Sequence, residues 1–302
     1  LWTIGMTYAL ALIFPIVTTF FLAFGVLEDS GYLPRLAALS NRLFQHMGLN
    51  GKAVVPMVLG LGCVTMATLT TRVLETKRER FLVILLLALA IPCSAQLGVV
   101  MGILAGVSFT AMLIWSGVMA FVLLTIGWLA ARLMPGERTQ LLVELPPMRW
   151  PVFSNVVVKT AARIEWYLKE VVPLFLLGTA LLFLLDRTGI LNQIIIVGEP
   201  LVSGWLGLPP EASAAFLVGF LRRDFGATGL FIMQSQGTLS PMQVVVAMVT
   251  ITLFIPCIAS VLMIAKERSW RTALGMVVLI TPLAFLIGGM LYRMLAFVGW
   301  GT

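Results

Sequence analysis

Three cysteines and one charged triplet are the residues of this chain best suited to chemistry. Cys93 and Cys257 each follow a proline inside a long apolar stretch, as Pro92-Cys93 and Pro256-Cys257, and Cys63 closes the motif Gly60-Leu61-Gly62-Cys63. Proline lacks a backbone donor, so in a helix it unwinds the chain locally and frees carbonyls that can face a solute. A thiolate suits soft or borderline cations such as Fe²⁺, Cu⁺ or Zn²⁺ far better than Mg²⁺ or Ca²⁺. A single cysteine is more often a small buried hydrophobe. Three at one expected depth, two of them at matching places in a repeat, point to a pathway instead. The triplet Arg222, Arg223 and Asp224 is costly if it lies at membrane depth, about 2.5 to 3.5 kcal/mol per charge on the lenient insertion scale. It is expected to tune or gate the same path, with Asp224 paired to one arginine and the other bonding hairpin carbonyls or a thiolate.

The elements that must hold these residues are apolar helices. The 302 residues are 60% hydrophobic and 11% charged, with a mean hydropathy of +1.04, which places the chain in a bilayer. Runs 6–27, 108–131 and 272–292 reach the roughly 20 residues a membrane-spanning helix needs, and none alternates as a barrel strand would. The stretches 53–61 and 65–73, about nine residues each, rise only about 14 Å as helix. They read as a re-entrant hairpin with its tip at Gly60 to Cys63, and a second hairpin over 211–233 has its tip at Arg222 to Gly226. Irregular backbone at that depth must be buried or line a wet cavity.

The chain also repeats itself. Pro15, Leu27, Gly31 and Leu33 recur 158 residues later as Pro173, Leu185, Gly189 and Leu191; Gly48, Leu49, Ala53 and Gly60 recur at 159 as Gly207, Leu208, Ala212 and Gly219; Ile91, Pro92, Cys93 and Ala95 recur at 164 as Ile255, Pro256, Cys257 and Ala259. Duplicated membrane units interrupted by Gly and Pro at matching places mark transporters with a site between the repeats. Hairpins add no net crossing, so each repeat crosses three times and the second is inverted. With the N-terminus outside, Arg35, Arg42, Lys52, Arg72 to Arg80, the basic residues from Arg132 to Lys169, and Lys266 to Arg271 all fall in the cytoplasm, as the positive-inside rule requires. The expected fold is an all-α polytopic membrane protein. It has an inverted repeat of gate type, about six full spans, two re-entrant hairpins and amphipathic surface helices at 32–47 and 155–170. Its divisions are a first repeat 1–131, a cytoplasmic linker 132–158 and a second repeat 159–302.

Other functions find little support. The net charge of +7 lies in short clusters between apolar runs, which excludes a nucleic-acid surface. Three cysteines make no disulfide framework. His46 stands alone on a surface helix, and Arg72 to Arg80, interleaved with Glu75 and Glu79, reads as a solvated turn. Gly48 to Lys52 has the glycines and lysine of a phosphate loop without its spacing, and neither HExxH nor GxSxG occurs, so neither bound nucleotide nor enzymatic activity is expected. The chain opens on Leu1 inside a hydrophobic run and is expected to be a piece of something longer.

Gly25 to Arg35, Gly51-Lys52 through Gly60 to Cys63 and on to Thr71, Arg72 and Glu75, then Pro92-Cys93-Ser94-Ala95 and Pro256-Cys257-Ile258-Ala259 resemble the paired gate segments of the bacterial ferrous iron transporter B family. The resemblance covers nearly the whole chain. It implies the membrane permease region of an Fe²⁺ transporter of the bacterial inner membrane, with a metal pathway at Cys63, Cys93 and Cys257; the hairpin and break positions read above add Gly60, Gly62, Pro92, Pro256, Arg222, Arg223 and Asp224 as expected gating or pathway residues. Fe²⁺ is then the substrate. The partners implied are the bilayer, the GTPase domain of the full-length protein and small cytosolic accessory proteins, with room for a homo-oligomer. Many members carry Asn or Asp directly after the first cysteine, whereas this chain has Val64, which removes one oxygen ligand. The gate fold is similar to that of concentrative nucleoside transporters, so the rival reading is a carrier of nucleosides or another organic solute. Such a carrier would favour Asn, Gln, Glu and Ser at the hairpin tips over thiol and arginine.

Overall fold

A computed structural model describes residues 14–134, 148–221, 223–254 and 256–300. The central part of the expected linker (135–147), the start of the first span and Arg222 lie outside the described residues. Every regular element described is helical: α1 (Phe14–Asp29), α2 (Tyr32–His46), α3 (Val54–Gly62), α4 (Val64–Thr70), α5 (Lys77–Ala90), α6 (Ser94–Val107), α7 (Phe109–Leu133), α8 (Phe153–Arg187), α9 (Ile190–Leu206), α10 (Ala212–Leu221), α11 (Arg223–Ser235), α12 (Pro241–Leu253), α13 (Ile258–Glu267) and α14 (Trp270–Val298), with short 3₁₀ turns before α3 and after α4.

Four helical stretches among the described residues are long and apolar enough to cross a membrane: Lys77–Val107, Phe109–Leu133, Pro241–Glu267 and Trp270–Val298. The chain is a multi-pass membrane protein. The first and third stretches are the ones broken at Pro-Cys, and they are the inner ones. Their most apolar windows are 67% and 76% buried, against 22% and 33% for the unbroken pair. A helix enclosed by protein can afford a break because neighbours supply the missing hydrogen-bond partners, and one facing lipid cannot.

The chain divides into two compact units, Leu1–Leu87 with Leu124–Ala180, and Ala88–Leu123 with Leu181–Thr302. In the first, α1 ends in Glu28 and Asp29. Glu28 accepts from Arg163 Nη2 at 2.6 Å, Lys159 lies 3.6 Å from it, and Asp29 accepts the Val152 amide at 2.8 Å. Further out on α8, the hydrogen bond from Lys169 at 2.6 Å, with its positive charge, holds the exposed Glu165 carboxyl below its ordinary range.

The turn expected to be solvated is so only in part: Arg72, Glu75 and Lys77 are exposed, whereas Arg78 is half-buried and Glu79 buried. Arg78 donates to Gly48 O at 3.3 Å, Ala131 O at 3.0 Å and Met134 O, and Glu79 is buried beside Asn50. Carbonyls at a helix end have no helical partner, and Arg78 donates to two at the end of α7, Ala131 O and Met134 O. Gly48 to Lys52 is likewise a structural turn, in which Asn50 Oδ1 accepts the Lys52 amide at 3.0 Å and Asn41 Oδ1 the Gly51 amide at 3.0 Å. His46 is exposed, its Nδ1 at 2.8 Å from Arg42 O.

In the second unit α12 is buried along nearly its whole length. It starts at a capping box of Ser240 and Gln243 with Pro241 in the first turn, where a missing N–H costs nothing. The duplication is visible in the backbone as well. Gly31 and Gly189 take φ 74° and 73° ahead of α2 and α9, and Gly48 and Gly207 take φ 67° and 65° after them, a left-handed turn that residues with a Cβ avoid. The order of helix, left-handed glycine, helix, left-handed glycine and hairpin thus occurs twice.

Candidate functional site: two broken helices on one guanidinium

Each cysteine stands where one helix stops and another begins. Cys63 is extended (φ −152°, ψ 115°) between α3 and α4, so the expected first hairpin tip is a real break in two short helices. Cys93 (φ −76°, ψ 162°) precedes α6 and Cys257 (φ −55°, ψ 156°) precedes α13. All three cysteines are half-buried and none is in a disulfide. The first amides of the helix that follows have no helical partner, so each sulfur sits at a positive helix end.

The prolines create the opposite need. Pro92 cannot donate to Ala88 O, and Pro256 cannot donate to Thr252 O. Arg223, 4% exposed in the second unit, meets much of that need: Nη1 donates to Ile91 O at 3.2 Å, and Nη2 donates to Ala88 O and to Phe254 O, the latter at 3.4 Å. One planar guanidinium therefore ties the end of α5 to the end of α12, and a cation is favoured at both helix C-termini. Ile91 O lies two residues before Cys93 and Phe254 O three before Cys257, so the guanidinium is held beside both Pro-Cys pairs. The sequence led us to expect an arginine on hairpin carbonyls or a thiolate. The carbonyls it takes belong instead to the two Pro-Cys breaks, because those are the ones left without donors.

Asp224 lies in the first turn of α11, where its charge suits the helix dipole. Its expected pairing with an arginine depends in part on Arg222, which lies outside the described residues. Close backbone approach sets the second hairpin. A Cβ on Gly226 would come within 2.7 Å of Ala215 O and of Gly219 Cα, so α10 and α11 touch main chain to main chain. At the first tip a Cβ on Gly62 would fall inside the Phe20 ring, 2.0 Å from Cζ. Cys63 itself packs on the cluster of Phe21 and Met66 with Phe20 and Trp166.

Oxygen groups complete the surroundings of Cys93 and Cys257. Cys257 Sγ lies 3.2 Å from the Ser260 hydroxyl, and Gln96, fully buried, donates from Nε2 to Ile251 O at 3.4 Å. Sequence alone did not single out Gln96 or Ser260. The available signal was a polar side chain one helical turn after each Pro-Cys pair. Among the described residues no three His, Cys, Asp or Glu side chains gather in one place. Ser260 and Gln96 thus put neutral oxygens within one helical turn of the two Pro-Cys pairs.

Known proteins supply the relationship. Residues 10–107 and 168–271 match the family model Gate, described as nucleoside recognition. The chain belongs to the Gate family. Residues 112–163 match a second model, the C terminus of ferrous iron transport protein B. The Fe(2+) transporter FeoB of Methanocaldococcus jannaschii is 27% identical over 92% of this chain and 47% of its own length, and that of Staphylococcus aureus 28% identical over 87% and 44%. A fusion of Fe(2+) transport protein A with Fe(2+) transporter FeoB from Porphyromonas gingivalis is 23% identical over 96% of the chain and 43% of its own length. This chain spans about half the length of the curated relatives it matches. No solved structure gives a significant match. The resemblance drawn from the gate segments is thereby shown, and both matched segments of the Gate model contain a Pro-Cys break.

Proposed function

We propose that this chain is the membrane permease portion of a ferrous iron transporter and moves Fe²⁺ across the bacterial inner membrane into the cytoplasm. The observation that carries the reading is the meeting of two Pro-Cys breaks on Arg223, within a chain whose relatives are named for Fe²⁺ transport. Cys93 and Cys257 offer soft donors. The freed carbonyls, Ser260 and Gln96 offer harder ones, and Arg223 keeps the broken ends from recruiting water or collapsing. Cys63 offers the same type of donor at the first hairpin break, and Gly60, Gly62, Pro92, Pro256, Arg222 and Asp224 are the remaining gating or pathway residues of this reading.

The repeats 1–131 and 159–302 are inverted about the linker 132–158 in this reading, with α3–α4 and α10–α11 as re-entrant hairpins. GTP hydrolysis belongs to a GTPase domain of the full-length protein. The natural fusion in Porphyromonas gingivalis supports a small accessory partner.

Anaerobic ⁵⁵Fe²⁺ uptake into proteoliposomes, with Mn²⁺, Zn²⁺ and a nucleoside as competitors, tests the reading. Saturable Fe²⁺ uptake insensitive to nucleoside is expected, and nucleoside uptake without Fe²⁺ uptake would replace it with the organic-solute alternative.

A further inference from the structure

Gln96 is 0% exposed, its Nε2 is engaged by Ile251 O, and its Oε1 has no hydrogen-bond partner among the described residues. The orientation of the amide is chemically determined, since turning it over would set two acceptor oxygens against each other. A buried carbonyl-type oxygen without a donor is uncommon and costly, and a completely apolar residue of the same volume would fill the place without that cost. The surroundings supply a reason to keep it. Gln96 lies one turn beyond Cys93 on α6, hence on the same face of the helix. Its amide is anchored on the end of α12, three residues before the carbonyl of Phe254 that Arg223 holds. That guanidinium also holds Ile91 O, two residues before Cys93.

We propose that Gln96 Oε1 is an oxygen ligand for the cation handled by Cys93 and Cys257, and that it biases the site toward borderline and hard divalent ions over soft ones. The inference rests on the transporter reading above. Two thiols alone favour Cd²⁺, Cu⁺ or Zn²⁺, and a neutral amide oxygen shifts the preference toward Fe²⁺ and Mn²⁺ without adding a buried charge. The Ile251 bond presents the oxygen by holding the opposite end of the amide.

The test measures divalent-ion binding by the whole protein in nanodiscs under anaerobic conditions, with thermal stability followed on the same samples. Gln96→Leu removes both the oxygen and the orphaned acceptor. Fe²⁺ and Mn²⁺ affinity should fall about 10- to 100-fold, the range typical for loss of a supporting group at a metal, while Cd²⁺ affinity changes little and the melting temperature holds or rises. Gln96→Met keeps length and adds a soft sulfur, so Cd²⁺ should gain over Fe²⁺. Unchanged Fe²⁺ to Cd²⁺ preference in both variants would overturn the proposal, as would equal losses for all ions that track a falling melting temperature, which mark packing alone. Wild-type protein that binds no divalent cation would sink the transporter reading itself, and Gln96 with it.

Discussion

At the scale of residues, Arg223 decides how the site is built, and its loss should be felt first as stability. Arg223→Lys keeps the charge, but a single ammonium cannot span two helix ends as the guanidinium fork does. At least one of Ala88 O, Ile91 O and Phe254 O then goes unsatisfied, at about 1 to 3 kcal/mol each. Thermal unfolding in detergent should show that loss, and wild-type stability of the lysine variant would mean that the breaks satisfy themselves. Cys93→Ser and Cys257→Ser exchange a soft donor for a hard, scarcely ionised one at nearly constant size. Fe²⁺ uptake should drop at least about 10-fold with the fold intact, and wild-type uptake by the double variant would reduce both to core filling. The thiols and prolines were legible in the sequence because their chemistry is carried by side chains. The partners of Arg223 were not, since main-chain carbonyls at positions 88, 91 and 254 look alike in any sequence and are chosen only by the fold.

At the scale of elements, the helix breaks at Cys63, Cys93 and Cys257 were legible in the sequence. Ala53 to Leu61 and Thr65 to Val73 became α3 and α4 because nine apolar residues between glycine and a Gly-Cys pair leave room for two turns of helix and no more. The turn at Arg72 to Arg80 is solvated only in part, because the end of α7 and the Gly48 turn offer carbonyls that draw Arg78 inward. The second hairpin makes a sharp prediction. Gly226→Ala places a methyl against Ala215 O and Gly219 Cα, main-chain atoms that cannot turn aside, and overpacking of that kind costs about 1 to 3 kcal/mol. Gly102→Ala meets nothing within 4 Å and should be neutral or slightly stabilising, since glycine inside a helix is about 0.5 to 1 kcal/mol worse than alanine. Equal melting temperatures for the two variants would show that α10 and α11 are free to separate.

At the scale of the whole molecule, the duplication and the charges together propose how the chain lies in the membrane. The paired left-handed glycines, Gly31 with Gly189 and Gly48 with Gly207, support two copies of one plan, and basic clusters assign their direction. Parallel copies would place several of those clusters outside. In the proposed arrangement of three crossings per copy, Lys77 at the start of α5 and Lys266 at the end of α13 are both assigned to the cytoplasm, although they sit at opposite ends of their broken spans, Lys77–Val107 and Pro241–Glu267. That opposition is the signature of inversion. Single cysteines placed at Lys77, Lys266 and Asn192, in a background without Cys63, Cys93 and Cys257, should therefore divide two to one. The first two react with impermeant maleimide only from the cytoplasmic side, and the third, just inside α9 after the Gly189 turn, reacts only from outside. Because native thiols are absent from the background, each signal belongs to one position, and intact Fe²⁺ uptake is not needed for the readout. Labelling of Lys77 and Lys266 from opposite faces would make the repeats parallel and require the spans to be counted again.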